Sequence, residues 1–221
     1  MEKNYTYKSP DKLANIVIIL VLVCLLFSAA SIAGSFVENT VYEKYPDEAV
    51  ITDINTEDNA VIGDIALFIH LPKTLVFLTA IAVFMMWIYR IHENGRALEL
   101  DGTIYAPGWS VAFYFIPIVN FVLPLLSLLH LYKSCWKRWK EKNSIAAKDS
   151  SKIWLLYAWW LLFWSSYLVS NPASLAAGEQ TIAMLRSEVQ SFIVSEIIYI
   201  AAGILFIFIL RKVTAVQKNM K

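Results

Sequence analysis

Five long stretches of the chain carry almost no charge, and they limit its fold more than any other feature. They cover residues 13–37, 65–89, 109–132, 153–178 and 189–210, and Lys73 and Glu196 are the only Asp, Glu, Lys or Arg residues inside them. A helix needs about 20 apolar residues to cross the roughly 30 Å hydrocarbon slab of a bilayer. Because backbone amides in lipid must be satisfied within their own segment, the stretches predict helices.

The composition supports a membrane protein and excludes several other classes. Hydrophobic residues make up 58% of the 221 residues and charged residues only 17%, whereas charged residues are roughly 25% of a typical soluble protein. A net charge of +1 and two cysteines argue against a basic nucleic-acid binder and a disulfide framework, and the apolar content argues against disorder. We therefore expect an all-α polytopic integral membrane protein.

The positions of the basic residues predict how the chain threads through the membrane. Residues 38–64 hold one Lys against eight acids, whereas residues 133–152 hold seven Lys or Arg. If all five stretches cross from a cytoplasmic N-terminus, 6 Lys and Arg lie inside and 12 outside; if 109–132 returns to the cytoplasm, the count is 16 inside and 2 outside. Cytoplasmic loops are enriched in Lys and Arg, which favours the second arrangement, with both termini cytoplasmic and the first stretch retained as a signal anchor.

Residues within the third stretch also predict that its helix is broken. Pro117 and Pro124 each remove a backbone donor and block a helical carbonyl, and Asn120 between them can bond the groups so freed or cap a half-helix. The segment is either re-entrant or a kinked helix that spans. We predict a single membrane domain over 1–221. Its parts are spans at about 13–37, 68–90, 153–176 and 190–210, a broken segment at 107–132, an acidic outer loop at 38–64 and a basic cytoplasmic loop at 133–152.

Several local patterns carry narrower predictions. Lys133–Lys142 interleaves Lys with Trp on different helix faces, which suits anionic lipid headgroups. Pro72 is predicted as the first residue of the second span, which would place Lys73 near the outer headgroups. Glu196 is either a functional residue at depth or a side chain that snorkels. Ala49–Ile54 and Ala60–Ile65 flank a polar centre and suggest a hairpin.

The sequence offers no constellation of catalytic or ligand-binding residues. The three histidines have no metal-ligand spacing, the two cysteines are single thiols, and phosphate-binding glycine patterns are absent. We therefore expect no enzymatic activity, no cofactor, no metal and no nucleic acid. The expected partners are the lipid bilayer, anionic headgroups at Lys133–Lys142, and a second copy of the chain or another membrane protein.

A resemblance to a known family rests on residues of the second and third stretches. They are Trp87, Arg90, Asn94, Arg96, Pro107, Gly108, Trp109, Pro117, Asn120 and Pro124. Trp160 and Asn171 in the fourth stretch and Arg211–Gln217 in the tail fit as well. The chain resembles the bacterial membrane proteins catalogued as domain of unknown function 4328, which implies a multi-pass protein of the bacterial inner membrane and no established activity.

We call the residues that carry this resemblance the signature, and three of them suggest a structural role. Trp87, Arg90 and Asn94 are spaced i, i+3 and i+7, so they share one helix face. We expect Arg90 and Asn94 to bond Asn120 or the exposed carbonyls of the broken segment. The function predicted from the sequence is a non-enzymatic scaffold, sensor or partner-binding membrane subunit. The alternative is a small transporter or channel component that uses the broken helix around Pro117, Asn120 and Pro124.

Overall fold

The computed structural model describes residues 5–101, 103–143, 153–169 and 180–220, which are mainly helical and contain no strand. The α-helices of these residues are α1 (Asp11–Tyr42), α2 (Thr56–Ile65), α3 (Leu71–Ala97), α4 (Pro107–Ala112), α5 (Leu123–Lys142), α6 (Trp154–Val169) and α7 (Ile182–Lys218). A 3-10 turn lies at Ile51–Asp53 and another at Val119–Phe121. The prediction of an all-α chain is confirmed for the described residues.

Among the described residues, three helical segments are long and apolar enough to cross a membrane. They are Asp11–Tyr42, Thr56–Ala97 and Ile182–Lys218, and they contain three of the four predicted spans. The fourth predicted span, 153–176, begins as α6, whose 16 described residues rise about 24 Å. The remainder of that span lies outside the described residues.

The first of these helices exposes large apolar side chains along one side. Ile19, Leu22 and Leu26 are 60%, 47% and 72% exposed, whereas Val17 and Cys24 are buried. Water does not favour such a continuous apolar surface, and a lipid environment does. The exposed side of α1 is therefore the surface expected of a membrane helix.

The second span begins earlier than predicted, and Pro72 is not its first residue. The helix starts at Thr56 and continues through a π-helical turn at Ala66–His70 into α3. The backbone N–H of Leu71 donates to the carbonyl of Ala66, one residue farther back than in an α-helix. Proline has no N–H and its ring crowds the carbonyl four residues earlier, and a widened turn directly before Pro72 accommodates both effects without ending the helix.

The described chain forms two compact units. Unit 1 consists of Met1–Ile19, Thr79–Trp160 and Leu205–Lys221, and unit 2 of Leu20–Leu78 and Leu161–Ile204. In unit 1 the ring of Phe84 stacks on Trp87 at 5.9 Å and meets the edge of Phe206 at 5.2 Å. In unit 2 a buried cluster contains Tyr42, Ile54, Ile182, Leu185 and Val189.

The predicted hairpin in the acidic loop is wrong, since Ala60–Ile65 belongs to α2. Asn55 caps this helix by accepting a hydrogen bond from the N–H of Asp58, a side-chain cap that favours helix over strand. Residues 47–51 instead pair with the chain that enters α7. Val50 and Thr181 form an isolated antiparallel bridge, and the N–H of Ile182 donates to the carbonyl of Ala49 at 2.8 Å.

The helix of the third stretch is interrupted, as its two prolines predict. It ends at Ala112 and resumes at Leu123, with Pro124 in the first turn of α5. Ile118 lies between the two helices with φ 67° and ψ −52°, and the N–H of Val119 donates to the carbonyl of Pro117 at 2.7 Å. This geometry is a γ-turn, which a β-branched residue adopts only under strain.

Candidate functional site

Lys73 and Glu196, the two charges within the uncharged stretches, form an ion pair in unit 2. The ammonium of Lys73 donates to the Glu196 carboxylate, and the two side chains are only 15% and 7% exposed. Lys73 lies one turn after the π-helical turn, and Glu196 lies in α7. Opposite charges at depth in a bilayer are expected to pair, because an unpaired one is costly. The sequence shows both charged positions, but it does not show that they pair.

Two aromatic rings enclose the same ammonium. The Nζ atom of Lys73 lies 5.8 Å from the ring centroid of Phe192 and 5.4 Å from that of Tyr199. Both distances are within the range in which a cation is attracted to the face of an aromatic ring. The cation therefore has a carboxylate and two rings as partners.

The ion pair borders a cavity of about 330 Å³ in unit 2. Its lining consists of His70, Lys73, Thr74, Phe77, Ser166, Tyr167, Phe192, Ser195, Glu196 and Tyr199. Cavities that bind small ligands begin at about 300 Å³ and combine apolar walls with a few placed polar groups. The volume of this cavity lies at the low end of that range, and its lining combines aromatic side chains with one ion pair.

Two of the hydroxyl groups in this lining have partners in the helix backbone. The Oγ of Ser195 donates to the carbonyl of Ser166 at 2.7 Å, and the Oγ1 of Thr74 donates to the carbonyl of His70 at 2.9 Å. Donation of a hydroxyl to a backbone carbonyl is the common way to satisfy Ser and Thr within helices. The Thr74 hydroxyl therefore bonds within its own helix, whereas the Ser195 hydroxyl links α7 to α6.

A second cavity of about 240 Å³ shares His70 and Phe192 with the first. Its lining also includes Glu38, Tyr42 and Glu188. The Nε2 of His70 lies 3.9 Å from the Glu38 carboxylate, and the His70 ring meets the edge of Phe192 at 5.4 Å. His70 thus separates an acidic cavity from the cavity of the ion pair.

In unit 1, Asn94 holds the segment before α1 against the end of α7. Its Oδ1 accepts from the N–H of Lys8 at 2.9 Å, and its Nδ2 donates to the carbonyl of Lys8 at 2.8 Å and to Oε1 of Gln217 at 3.3 Å. Gln217 is fully buried and donates to the carbonyl of Ile91 at 2.8 Å. We call Lys8, Asn94 and Gln217 the terminal clamp.

The contacts in the terminal clamp contradict the role expected for Asn94. Its carboxamide does not bond Asn120 or the broken segment, because the peptide of Lys8 and the side chain of Gln217 take its hydrogen bonds. Arg90 forms an ion pair with Glu93, with Nε 3.3 Å from the carboxylate. Arg90 and Glu93 are spaced i, i+3, as Trp87 and Arg90 are, so Glu93 is the neighbour of Arg90 on its own helix.

The other signature residues of the second span have separate partners. The Trp87 ring is fully buried, and its Nε1 donates to Oγ1 of Thr214 at 3.2 Å. Arg96 donates to the carbonyl of Ile104 at 3.3 Å. Trp87 and Asn94 thus both contact the C-terminal part of α7, at Thr214 and Gln217.

The signature residues of the broken segment lie around its turns. Pro107 begins α4 with Gly108 next to it, and the Trp109 ring is 58% exposed. Pro117 and Asn120 lie in the interruption, where the N–H of Asn120 donates to the carbonyl of Ile116 at 2.9 Å. Trp160 of α6 donates from Nε1 to the carbonyl of Phe121 at 2.8 Å, so an indole holds a carbonyl that the interruption frees. Asn171 lies outside the described residues.

Sequence reasoning missed several polar contacts. From the sequence, Lys8 is one of the basic residues before the first stretch and Gln217 belongs to the tail, and neither position predicts the contact with Asn94. His92 is buried, with Nε2 2.8 Å from Oγ of Ser127 and Nδ1 2.9 Å from the carbonyl of Ile88. A histidine and a serine 35 residues apart give no periodic signal, so this pair could not be read from the sequence.

The predicted basic surface of α5 is ordered by its tryptophans. The rings of Trp136 and Trp139 stack at 4.9 Å. The Nζ atoms of Lys140 and Lys212 lie 5.7 Å and 5.2 Å from the Trp136 ring centroid. Cations next to indole rings suit a membrane interface. Cys135 beside them is buried, and burial raises the pKa of its thiol to about 12, so the thiol is protonated at neutral pH.

The acidic loop has an ion pair of its own. Asp58 is buried and accepts hydrogen bonds from Lys44, from the hydroxyl of Tyr45 at 2.8 Å and from Nδ2 of Asn55 at 3.0 Å. The hydrogen bond to Asp58 raises the pKa of Lys44. Among the described residues, no group of three His, Cys, Asp or Glu side chains could hold a metal ion. Asp58 therefore serves the local fold of this loop.

In the part of the chain that the structure describes, these features define an all-helical protein with three helical segments of membrane-spanning length, a buried ion pair beside a cavity in one unit and a polar clamp in the other. Comparison with protein families identifies it further. A family model described as Domain of unknown function (DUF4328) matches residues 52–215, and the chain belongs to this family. Comparisons with curated proteins and with solved structures give no match.

Proposed function

We propose that this chain is a non-enzymatic membrane sensor subunit that binds a small ligand in the cavity beside Lys73 and Glu196. The observation that carries the proposal is the buried ion pair at the wall of a 330 Å³ cavity. Ionisable residues within membrane helices are functional candidates by default. Replacing a buried ion pair by well-packed apolar residues is often neutral or stabilising, so fold stability alone does not account for this one.

The proposal places the protein in the bacterial inner membrane, with both termini cytoplasmic. In this arrangement the α6 region completes a fourth span, and the broken segment enters from the cytoplasm and returns to it. The charge distribution between loops supports it, because re-entry leaves 16 of the Lys and Arg residues on the cytoplasmic side. A cysteine introduced at Ser144, outside the described residues, tests it: labelling from the periplasm would contradict the re-entrant arrangement.

The basic surface of α5 is the proposed contact with anionic lipid. Lys140 and Lys212 flank the ring of Trp136, and each basic residue near an anionic bilayer contributes about 1 kcal/mol of binding. A partner protein or a second copy of the chain completes the proposed subunit. The lipid contact is measured by cosedimentation with phosphatidylglycerol vesicles, in which the protein is compared with variants whose basic residues in α5 are neutralised.

Native mass spectrometry tests ligand binding directly. Protein extracted in mild detergent should retain a small adduct, and the variant Lys73→Met/Glu196→Leu should lose it, because the charged partners at the cavity are gone. Removing both charges together avoids an unpaired buried ion. The matched control is Lys44→Met/Asp58→Asn, which removes an ion pair of unit 2 that does not line the cavity; it should keep the adduct. No adduct in the wild type, or equal retention in all three proteins, contradicts the proposal.

A transporter or channel component is the second candidate function, and the interruption between α4 and α5 favours it. Discontinuous helices line the substrate sites of many transporters, and Asn120 lies within this interruption. Solute or ion flux in reconstituted liposomes that falls in an Asn120→Ala variant would support transport. Ligand retention without flux would support the sensor.

A further inference from the structure

The cavity beside Lys73 and Glu196 presents one cation and one anion that neutralise each other. Lys73 and Glu196 both line it, and each side chain is largely shielded from solvent. A ligand that contacts either charge must compete with the other member of the pair. The affinity for a ligand therefore depends on whether the displaced member of the ion pair also finds a partner on that ligand.

A ligand with a single charge is disfavoured at such a site. An anion that pairs with Lys73 leaves the Glu196 carboxylate buried without a partner, and a cation that pairs with Glu196 leaves the Lys73 ammonium in the same state. Breaking a buried pair in this way is strongly unfavourable. A zwitterion avoids the problem, because it replaces one internal ion pair with two pairs to the ligand.

We infer that the cavity binds a small zwitterion that carries a primary ammonium and an anionic oxygen group, with the ammonium on Glu196 and the anionic group on Lys73. This inference rests on the proposed function and names its ligand class. The shared chemistry has two sources, a soluble metabolite of amino-acid size and the headgroup of a zwitterionic lipid such as phosphatidylethanolamine.

The aromatic lining supports the orientation of the ligand. Phe192 and Tyr199 already hold an ammonium 5.8 Å and 5.4 Å from their ring centroids. A ligand ammonium that takes the place of Nζ beside Glu196 meets the same ring faces, which attract any cation in this position. The rings therefore favour the end of the ligand that Glu196 binds.

The size of the cavity and its neighbour fit the same class. A volume of about 330 Å³ lies at the low end of ligand sites, which suits an amino acid or a single headgroup. The adjoining cavity is lined by Glu38 and Glu188 and shares His70 with the first. Its carboxylates attract the ammonium end of a zwitterion and repel a simple anion.

Binding measurements in nanodiscs of pure phosphatidylglycerol, which holds no zwitterionic lipid, test the soluble source. The probes are phosphorylethanolamine and L-alanine, and the matched analogues are ethanolamine and ethyl phosphate, each of which keeps only one of the two charged groups of phosphorylethanolamine. We expect the analogues to bind at least tenfold more weakly than phosphorylethanolamine. The variant Lys73→Met/Glu196→Leu should weaken zwitterion binding at least tenfold, and Lys44→Met/Asp58→Asn should leave it unchanged.

Native mass spectrometry from nanodiscs that contain phosphatidylethanolamine tests the lipid source. Retention of this lipid by the wild type and its loss in Lys73→Met/Glu196→Leu, without binding of the soluble probes, assigns a headgroup; the reverse assigns a soluble zwitterion. Binding of a zwitterion no tighter than of ethanolamine or ethyl phosphate overturns the inference. An adduct that depends on the ion pair but is not a zwitterion refutes the ligand class and leaves the proposed function intact, whereas no adduct at all refutes both.

Discussion

The terminal clamp gives the sharpest prediction for stability, through the substitution Asn94→Ala. The side chain of Asn94 makes two hydrogen bonds to the backbone N–H and C=O of Lys8, at 2.9 and 2.8 Å, and one to Gln217 at 3.3 Å. Truncation to Ala removes all three. Lys8 is exposed, so its peptide regains water when the segment detaches, whereas Oε1 of the fully buried Gln217 loses this partner without gaining water.

The magnitude follows from the number and environment of these bonds. A hydrogen bond contributes about 1 kcal/mol net, and a buried acceptor left without its donor costs about 1–3 kcal/mol. We expect Asn94→Ala to lower the free energy of unfolding by about 3 kcal/mol. For a chain of this size that loss corresponds to a fall in melting temperature of about 6–12 °C.

Two assays on the detergent-solubilised protein check this prediction. Thermal unfolding reports the loss of stability, and limited trypsin digestion reports release of the segment around Lys8, which should be cleaved faster in the variant. The matched control is Asn143→Ala, since Asn143 is exposed and its Nδ2 donates to the Trp139 carbonyl at the end of α5. A melting temperature within 2 °C of wild type, together with unchanged cleavage at Lys8, would refute the clamp.

Three further predictions concern single positions of unit 1. Ile118→Gly should raise stability by about 1 kcal/mol in thermal unfolding, because it relieves a positive φ at a side chain that is 82% exposed; a loss of stability would contradict the strain. Gly95→Ala should destabilise by about 2 kcal/mol, since the added Cβ would lie 2.4 Å from Thr103 and 2.7 Å from Leu131; unchanged melting would show that these side chains yield. Burial raises the pKa of the Cys135 thiol to about 12, so about one thiol in 10⁴ is ionised at pH 8 and Cys135 should resist N-ethylmaleimide; rapid labelling of the native protein would disprove its burial. The stability that the buried neutral thiol contributes should be fully present below the ordinary thiol pKa and be lost as the pH rises toward 12.

The sequence predicted the parts of the fold that depend on long-range composition. Uncharged runs of more than 20 residues require helices in lipid, and α1 and α7 lie where those runs lie. Pro117 and Pro124 likewise predicted the interruption before α5, because proline acts on its own helix. Such features arise within one segment and are visible in one stretch of sequence.

The site needed information that no single stretch contains. Lys73 and Glu196 are 123 residues apart, and only the packing of α3 with α7 in unit 2 shows that they share a cavity. The same holds for Asn94 and Lys8, which are 86 residues apart. The error at Pro72 has a local cause, since a π-helical turn absorbs the proline that was expected to begin a helix.

The ion pair of unit 2 also sets an order for biosynthesis. Lys73 leaves the ribosome 123 residues before Glu196, an interval of about 6–25 s at ordinary rates of synthesis. During that interval α3 carries an ammonium whose carboxylate partner does not yet exist, so burial of this ammonium among apolar side chains depends on the arrival of α7. In the proposed membrane location, a nascent chain stopped before Ile182 should remain accessible to the insertion machinery and to membrane proteases until α7 is complete.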